Sequence, residues 1–404
     1  MSRGSDLVAW LMTAPSAQDW QQATPRQICS LSHFLTRTSP PVTLTAMSNR
    51  TGRDSRQDVL VAAESSHRVG QPSTPGLLRG RVAGIEQTWF ILGIVVVLLL
   101  ALTVAGTGVL NPANLVNIGR STGPLLILGA GAALVILGRG IDLSAAAVAA
   151  VAAQLFAWLV GVQEYSEVQA LLVCLAASVV LGAINGVVIV WGQVPALIVT
   201  LATWQLYIGL FRLFVSKETN ATLPSDSTIV AWMGGGKLLG VPSTLLIAGV
   251  VAVTLSFLLR RTSVGWFYRA LGDNIVTAQL TGVPERGLRL GSYVVSSILA
   301  SLTGVVLLGV AGSYTTAYGS SEAILFDAIT IAIIGGFSLA GGRGSIRGVV
   351  VAAVLIAVVQ NGMTLLNFTV VATTLTKSLI LLAAIALDAW MHPESEETVR
   401  AGDL

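Results

Sequence analysis

Residue types that carry most catalytic chemistry are scarce in the apolar part of this 404-residue chain. All three histidines, His33, His67 and His392, lie in the polar segments near the two termini. No apolar run holds two carboxylates at helical spacing, so the runs offer no general acid and base pair. The two cysteines, Cys29 and Cys174, lie far apart in sequence and suggest neither a disulfide framework nor a metal site. We therefore predict that the chain is not an enzyme and binds no metal.

One stretch looks like a phosphate-binding loop, Gly234-Gly235-Gly236-Lys237. The match fails at two positions, because Ala231 stands where the loop needs its first glycine and Leu238 where it needs a Ser or Thr for Mg²⁺. The chain is therefore predicted to hold no ATP site and no cofactor of its own. If ATP drives this protein, another subunit must bind and hydrolyse it.

The composition is typical of a membrane protein. Hydrophobic residues make up 53% of the chain and charged residues only 11%, against roughly 25% charged residues in soluble proteins. The sequence therefore predicts an all-α integral membrane protein with about ten transmembrane helices, in contact with lipid and not with nucleic acid. The predicted spans are Thr88–Leu110, Ser121–Gly138, Leu143–Gly161, Val168–Trp191, Pro195–Val215, Val241–Leu259, Leu290–Ala311, Phe326–Ala340, Ile346–Leu366 and Val371–Trp390.

Polar segments flank the transmembrane domain, which is predicted over residues 87–391. Residues 1–86 are rich in Ser, Thr, Gln, Pro and Arg and are predicted to form a disordered tail. As an alternative, translation begins at Met47. Arginines concentrate in this tail and in residues 260–289, which the positive-inside rule places in the cytoplasm. With ten spans, the C-terminal tail, residues 392–404, is predicted to be cytoplasmic too.

Ionisable side chains within the apolar runs are few, and each lies near the end of a run. Proton- or sodium-coupled carriers keep charged residues inside the membrane, so this scarcity counts against a secondary carrier. Lys377 and Arg212 are expected to extend towards the headgroups, and Asp142 to cap a helix beginning at Leu143. The five residues are Asp142, Arg212, Asp327, Lys377 and Asp388.

Two glycine-rich stretches, residues 138–144 and 334–348, interrupt the apolar runs. Glycine at this density lets helices break and approach closely, and a broken helix at membrane depth needs protein or a cavity beside it. The stretches therefore indicate either a translocation path or close helix packing. The residues concerned are Gly140, Asp142, Gly335, Gly336, Gly341, Gly342 and Gly344.

Four segments occur in order along the chain: RGIDLSAAAVAA, GAINGVVIVWGQVPALIVTLATWQLYIGL, YRALGDNIVTAQLTGV and FDAITIAIIGGFSLAGGRGSIRGVVVAAVLIAVVQNGMTLL. They resemble the permease subunits of bacterial ABC sugar importers of the ribose/xylose type, over about Thr88 to Trp390. The residues before Thr88 have no counterpart in that family. The family commonly has Gly where Arg139 stands and Val-Gly at Ala145-Ala146.

The resemblance implies a permease in the bacterial inner membrane that works with a second permease copy or homologue. It also implies a cytoplasmic ABC ATPase subunit and an extracytoplasmic sugar-binding protein as partners. We therefore predict the translocation subunit of an ABC importer for a monosaccharide. Branched-chain amino acids or nucleosides are the alternative cargo, because related permeases share weaker forms of the pattern. A secondary sugar carrier without an ATPase is the alternative from another class.

The cytoplasmic segment Thr262–Gly287 is predicted to contact the ATPase. Apolar and polar residues interleave over residues 264–282, as in a short helix lying in a partner's groove or, alternatively, on the membrane surface. Gly272-Asp273-Asn274 is predicted to form a turn before a second helix, with a positive φ at Gly272. The predicted coupling residues are Trp266, Arg269, Leu271, Gly272, Asn274 and Gly282.

A neutral sugar needs hydrogen-bonding amides and hydroxyls and an aromatic face, without fixed charge. Unpaired amides in an apolar span are costly, so each such residue either lines a path or forms an interhelical hydrogen bond. Three spans carry them, which together predict a weakly polar channel. The predicted path residues are Asn185, Thr200, Thr203, Trp204, Gln205, Tyr207, Gln360 and Asn361.

Overall fold

A computed structural model describes residues 76–215, 220–224, 226–315 and 322–391. The predictions on residues 1–75, including the start at Met47, and on the C-terminal tail lie outside these described residues. The first described helix begins at Gly76. Residues 76–86, which the sequence placed in the tail, are therefore helical.

Thirteen helices and four short strands make up the described part of the chain. The helices are α1 Gly76–Val104, α2 Pro112–Leu137, α3 Ala145–Gly161, α4 Glu167–Gly192, α5 Ala196–Phe214, α6 Ile229–Gly235, α7 Ser243–Arg261, α8 Ser263–Asp273, α9 Ile275–Leu280, α10 Glu285–Ala311, α11 Glu322–Ile334, α12 Ile346–Leu365 and α13 Val370–Met391. The strands are β1 Asn220–Thr222, β2 Lys237–Leu238, β3 Val241–Pro242 and β4 Ser313–Thr315. Strand β1 pairs antiparallel with β4, and β2 with β3.

The all-α membrane fold predicted from the sequence is confirmed. Seven described helices are long and apolar enough to cross a membrane: α1 from Gln87 onwards, α2, α4, α5, α7, α10 and α12. Shorter apolar stretches occur in α3, in α11 and over Val370–Ala386 of α13. Each predicted run coincides with one of these helices, while ten complete crossings remain a prediction.

Helices α2 and α10 lie at the centre of the bundle. Helix α2 packs against α7, α10, α11 and α12, and α10 packs against α3, α4 and α6. Small residues permit these contacts: a Cβ on Gly304 of α10 would lie 1.9 Å from the carbonyl oxygen of Ala149 in α3. Such close approach stabilises helix pairs in lipid, where no hydrophobic force drives them together.

Both glycine-rich stretches interrupt helices, as predicted. The first separates α2 from α3, and the second separates α11 from α12. Four glycines of the second stretch, Gly336, Gly341, Gly342 and Gly344, have a positive φ. Gly335 instead packs against the next helix, because a Cβ on it would lie 2.7 Å from the Val349 nitrogen.

Of the glycines that resemble a phosphate-binding loop, Gly234 permits a close helix contact. Gly234 lies near the end of α6, where a Cβ would be 2.0 Å from the carbonyl carbon of Gly309 in α10. Lys237 is the first residue of β2, a two-residue strand that pairs with β3 in a hairpin. The local geometry is therefore that of a close helix contact followed by a turn.

Cysteine labelling tests the predicted orientation. In a chain with Cys29 and Cys174 replaced by Ala, we expect Leu239→Cys to react with an impermeant thiol reagent in intact spheroplasts, and Leu280→Cys only after permeabilisation. Both sites suit the test because Leu239 is 98% and Leu280 84% exposed. The reverse labelling pattern would invert the orientation of the whole chain.

Candidate functional site

The break between α2 and α3 places a carboxylate, that of Asp142, inside the bundle. Its Oδ1 accepts hydrogen bonds from the Ser144 amide at 3.0 Å and the Ser144 hydroxyl at 2.6 Å. Its Oδ2 accepts one from the Ser296 hydroxyl of α10 at 2.7 Å. The carboxylate also lies at the N-terminus of α3, where the helix dipole favours negative charge. Asp142 was predicted to cap a helix beginning at Leu143, but α3 begins at Ala145 with Ser144 as its N-cap residue. The Asp142 carboxylate instead binds the Ser144 amide just before the helix.

Two predicted path residues extend this hydrogen-bonded group. The Asn185 amide of α4 donates to the Ser144 hydroxyl oxygen at 2.7 Å. The Tyr207 hydroxyl of α5 lies 2.9 Å from the Asn185 Oδ1 and 2.8 Å from the Leu181 carbonyl oxygen. Residues of three helices and the break thus form one buried polar network. We call Asp142, Ser144, Asn185, Tyr207 and Ser296 the Asp142 cluster.

The other predicted residues of α5 differ in their surroundings. The buried Thr200 hydroxyl donates to the Ala196 carbonyl at 2.8 Å, and the buried Thr203 hydroxyl to the Thr200 carbonyl at 3.3 Å. Trp204 packs in an apolar cluster with residues of α3, and its buried Nε1–H has no hydrogen-bond partner among the described residues. Gln205 is exposed on the outer face of α5.

Gln360 of α12 belongs to a second polar group. Its amide donates to the Asp327 Oδ2 at 3.0 Å, and the Lys377 ammonium of α13 lies 2.7 Å from the same oxygen. Both charged side chains are largely buried, with 6% of Asp327 and 18% of Lys377 exposed. The expectation that Lys377 extends towards the headgroups is therefore wrong, because an ion pair across α11 and α13 holds it.

Asn361, next along α12, pairs with α2. Its side-chain amide and that of Asn114 each donate to the other's oxygen at 2.9 Å. The Asn114 amide also donates to the Val109 carbonyl at 2.9 Å. Both hydrogen-bonding groups of Asn361 are thus used in an interhelical contact within this chain.

The predicted coupling residues lie in α8 or next to the ends of α9. Asn274 caps α9, with its Oδ1 accepting from the Thr277 amide at 2.9 Å, so a second helix does begin here. Gly272 and Asp273, predicted to lie in the turn, are the last residues of α8. Leu271 is fully buried within the bundle core. Burial also raises the pKa of the Tyr268 hydroxyl, which stays protonated and donates to the Leu288 carbonyl at 2.7 Å. Helix α8 is therefore anchored to the start of α10.

The prediction of a positive φ at Gly272 is wrong. Gly272 lies in the last turn of α8 and is absent from the positive-φ residues. It is required for another reason, because a Cβ there would lie 1.9 Å from the Gly342 nitrogen and 2.5 Å from the Leu137 carbonyl oxygen. In the same segment it is Gly282 that has the positive φ, of 81°.

Arg139 connects the coupling segment to the first glycine-rich break. Its Nε donates to the Gly272 carbonyl at 2.8 Å and its Nη2 to the Asp273 carbonyl at 3.0 Å, at the C-terminus of α8 where a cation is favoured. The Gly342 amide donates to the Leu137 carbonyl at 3.1 Å. Arg139 has a φ of 59°, a conformation that glycine adopts without strain.

The outer side of α8 and α9 exposes large apolar side chains. Trp266 of α8 is 65% exposed, and Val276 and Leu280 of α9 are exposed as well. Arg269 lies between the buried and exposed sides of α8. One side of this segment therefore contacts the bundle, and the other side exposes apolar side chains that a partner protein could cover.

Comparison with known proteins identifies the class. Residues 114–387 match the family model described as the permease component of branched-chain amino acid transport systems. The ribose import permease protein of Escherichia coli K12 is 31% identical over 276 residues, covering 68% of this chain and 85% of that protein. The fructose import permease protein of Rhizobium meliloti is 30% identical over 273 residues, 66% and 75% of the two chains. The autoinducer 2 import system permease protein of Escherichia coli K12 strain DH10B is 28% identical over 276 residues, 68% and 79%. No solved structure matches the chain.

The chain belongs to this family of ABC importer permease components. It is a multi-pass protein of the bacterial inner membrane and a transport subunit rather than a catalytic one. The resemblance to sugar-importer permeases noted in the sequence is confirmed. Membership implies an ATPase and a binding protein as partners.

Proposed function

We propose that this chain forms the translocation path of an ABC importer for a monosaccharide, driven by ATP hydrolysis on a separate cytoplasmic subunit. The observation that carries the proposal is the contact of α8 with both helix breaks through Gly272 and Arg139. A push or pull on the exposed side of α8 would reach both breaks directly. A secondary carrier would have no use for such a connection to an exposed apolar cytoplasmic surface.

The polar groups of the bundle favour a neutral cargo. The carboxylate of Asp142 already accepts three hydrogen bonds, and the buried ammonium of Lys377 is paired with Asp327. An amino acid would need a free charge of each sign, whereas a sugar needs hydroxyl and amide partners. The Trp204 Nε1–H lies beside the start of α3 without a partner in the described part of the chain, and a sugar hydroxyl would satisfy it. Relatives named for ribose and fructose import support the same cargo class.

The complete importer would contain a second permease copy or homologue, the ATPase and an extracytoplasmic sugar-binding protein. Segment Thr262–Gly287 would contact the ATPase through its exposed apolar side chains. The hairpin of β2 and β3 would lie on the opposite side of the membrane, facing the binding protein.

The double variant Trp266→Glu, Leu280→Glu tests ATPase docking. Both side chains are exposed, so folding and insertion should be kept, whereas burial of two carboxylates in a dry interface costs on the order of several kcal/mol. We expect co-purification of the cognate ATPase subunit and sugar uptake both to fall at least about tenfold. Leu239→Glu, in the hairpin of β2 and β3, is the matched control and should leave ATPase binding unchanged. Wild-type ATPase binding and uptake by the double variant would contradict the proposed dock.

A further inference from the structure

A groove of about 410 Å³ lies between α7 and α12, apart from the polar clusters described above. Its apolar wall includes Ala252, Val253 and Phe257 of α7. Its other end carries three guanidinium groups, those of Arg260, Arg261 and Arg347. The groove therefore has an apolar part and a strongly cationic part.

The dimensions of the groove match one leaflet of a bilayer. Residues 252 to 261 of α7 span about 14 Å at 1.5 Å per residue, close to half of a hydrocarbon core of about 30 Å. Val253 and Phe257 are exposed on the surface of the bundle, where lipid would contact them. The arginines lie at the end of the span that the positive-inside rule places at the cytoplasmic headgroups.

The cationic end has little compensation from the described residues. The Arg260 guanidinium donates a hydrogen bond to the Ser345 hydroxyl at 3.1 Å. The positive charges of Arg347 and Arg269 repel it. Neither ion pair found among the described residues involves Arg260, Arg261 or Arg347. Like charges held together in this way favour an anion between them.

We propose that this groove binds an anionic phospholipid of the cytoplasmic leaflet. The arginines Arg260 and Arg347 hold the lipid phosphate, and an acyl chain lies along Val253 and Phe257. A free phosphate would leave the apolar wall uncovered. An acidic surface of the ATPase would have to enter the hydrocarbon region to cover it, so a lipid accounts for both ends of the groove.

Native mass spectrometry of the purified chain with added lipid tests the site. The lipids are palmitoyl-oleoyl phosphatidylglycerol (POPG) and the zwitterionic phosphatidylcholine with the same chains. We expect Arg260→Gln with Arg347→Gln to weaken POPG retention roughly 30-fold, without changing phosphatidylcholine retention. Arg260→Lys with Arg347→Lys keeps the charge and should retain most POPG binding, which separates loss of charge from loss of folding.

A charge-matched control is Arg286→Gln with Arg289→Gln, at the start of α10 and outside the groove. It should bind POPG like the wild type. The proposal would be overturned if the variant with Arg260→Gln and Arg347→Gln retained as much POPG as the wild type. It would also be overturned if the control lost as much POPG as that variant. Displacement of POPG by millimolar glycerol 3-phosphate would overturn it too, because it would indicate a site for phosphate alone. Unchanged POPG retention with loss of ATPase association would assign the arginines to the ATPase dock instead.

Discussion

Replacing Lys377 with Met is expected to destabilise the folded chain by about 3 kcal/mol or more. Among the described residues, the substitution would leave the Asp327 carboxylate, 6% exposed, with the Gln360 amide as its remaining partner. An uncompensated charge in this setting is costly because the membrane offers no water to solvate it. The measurement is the midpoint temperature of aggregation of the detergent-purified chain, monitored by size-exclusion chromatography after heating.

The double variant Asp327→Asn, Lys377→Met is the control for this effect. It removes both charges, and we expect it to lie within about 1 kcal/mol of the wild type. Lys237→Met removes an exposed lysine from β2 and should also behave like the wild type. Equal stability of Lys377→Met and the wild type would mean that Asp327 does not depend on this ion pair.

Replacing Gly272 with Val should abolish energy coupling while the spans stay intact. The Cβ would lie 1.9 Å from the Gly342 nitrogen, which is backbone and cannot move aside as a flexible side chain can. Helix α8 would have to separate from the second glycine-rich break. We expect sugar uptake and sugar-stimulated ATP hydrolysis to fall together by at least about tenfold, a change that corresponds to roughly 1.4 kcal/mol.

Gly287→Val is the matched control. It lies in the same cytoplasmic region, and no atom is within 4 Å of the position of its Cβ. It should keep uptake within about twofold of the wild type. Full uptake by the Gly272 variant would show that contact between α8 and the break is unnecessary for coupling.

The sequence predicted features that depend on local pattern. Apolar runs became helices because lipid leaves the backbone no other way to satisfy its hydrogen bonds. The contact of Asp142 with Ser144, two residues away, and the start of a second helix after Asn274 are local features of this kind. Family resemblance supplied the transport class, which composition alone could not give.

Local sequence pattern could not predict contacts between residues that are distant in the sequence. Lys377 and Asp327 are separated by 50 residues, so nothing in their spacing indicates an ion pair. Leu271 has the apolar character of a docking residue, yet it is buried in this chain's own core. Arg139 was missed as a connecting residue, because its partners Gly272 and Asp273 lie 133 and 134 residues further along the chain.

The most direct test of ATP-driven transport is uptake by proteoliposomes containing this chain, its ATPase subunit and its binding protein. We predict uptake of a radiolabelled pentose or hexose that requires internal ATP and disappears when the P-loop lysine of the ATPase is replaced. Uptake at the same rate by this chain alone, driven by a proton or sodium gradient, would contradict the account and identify a secondary carrier.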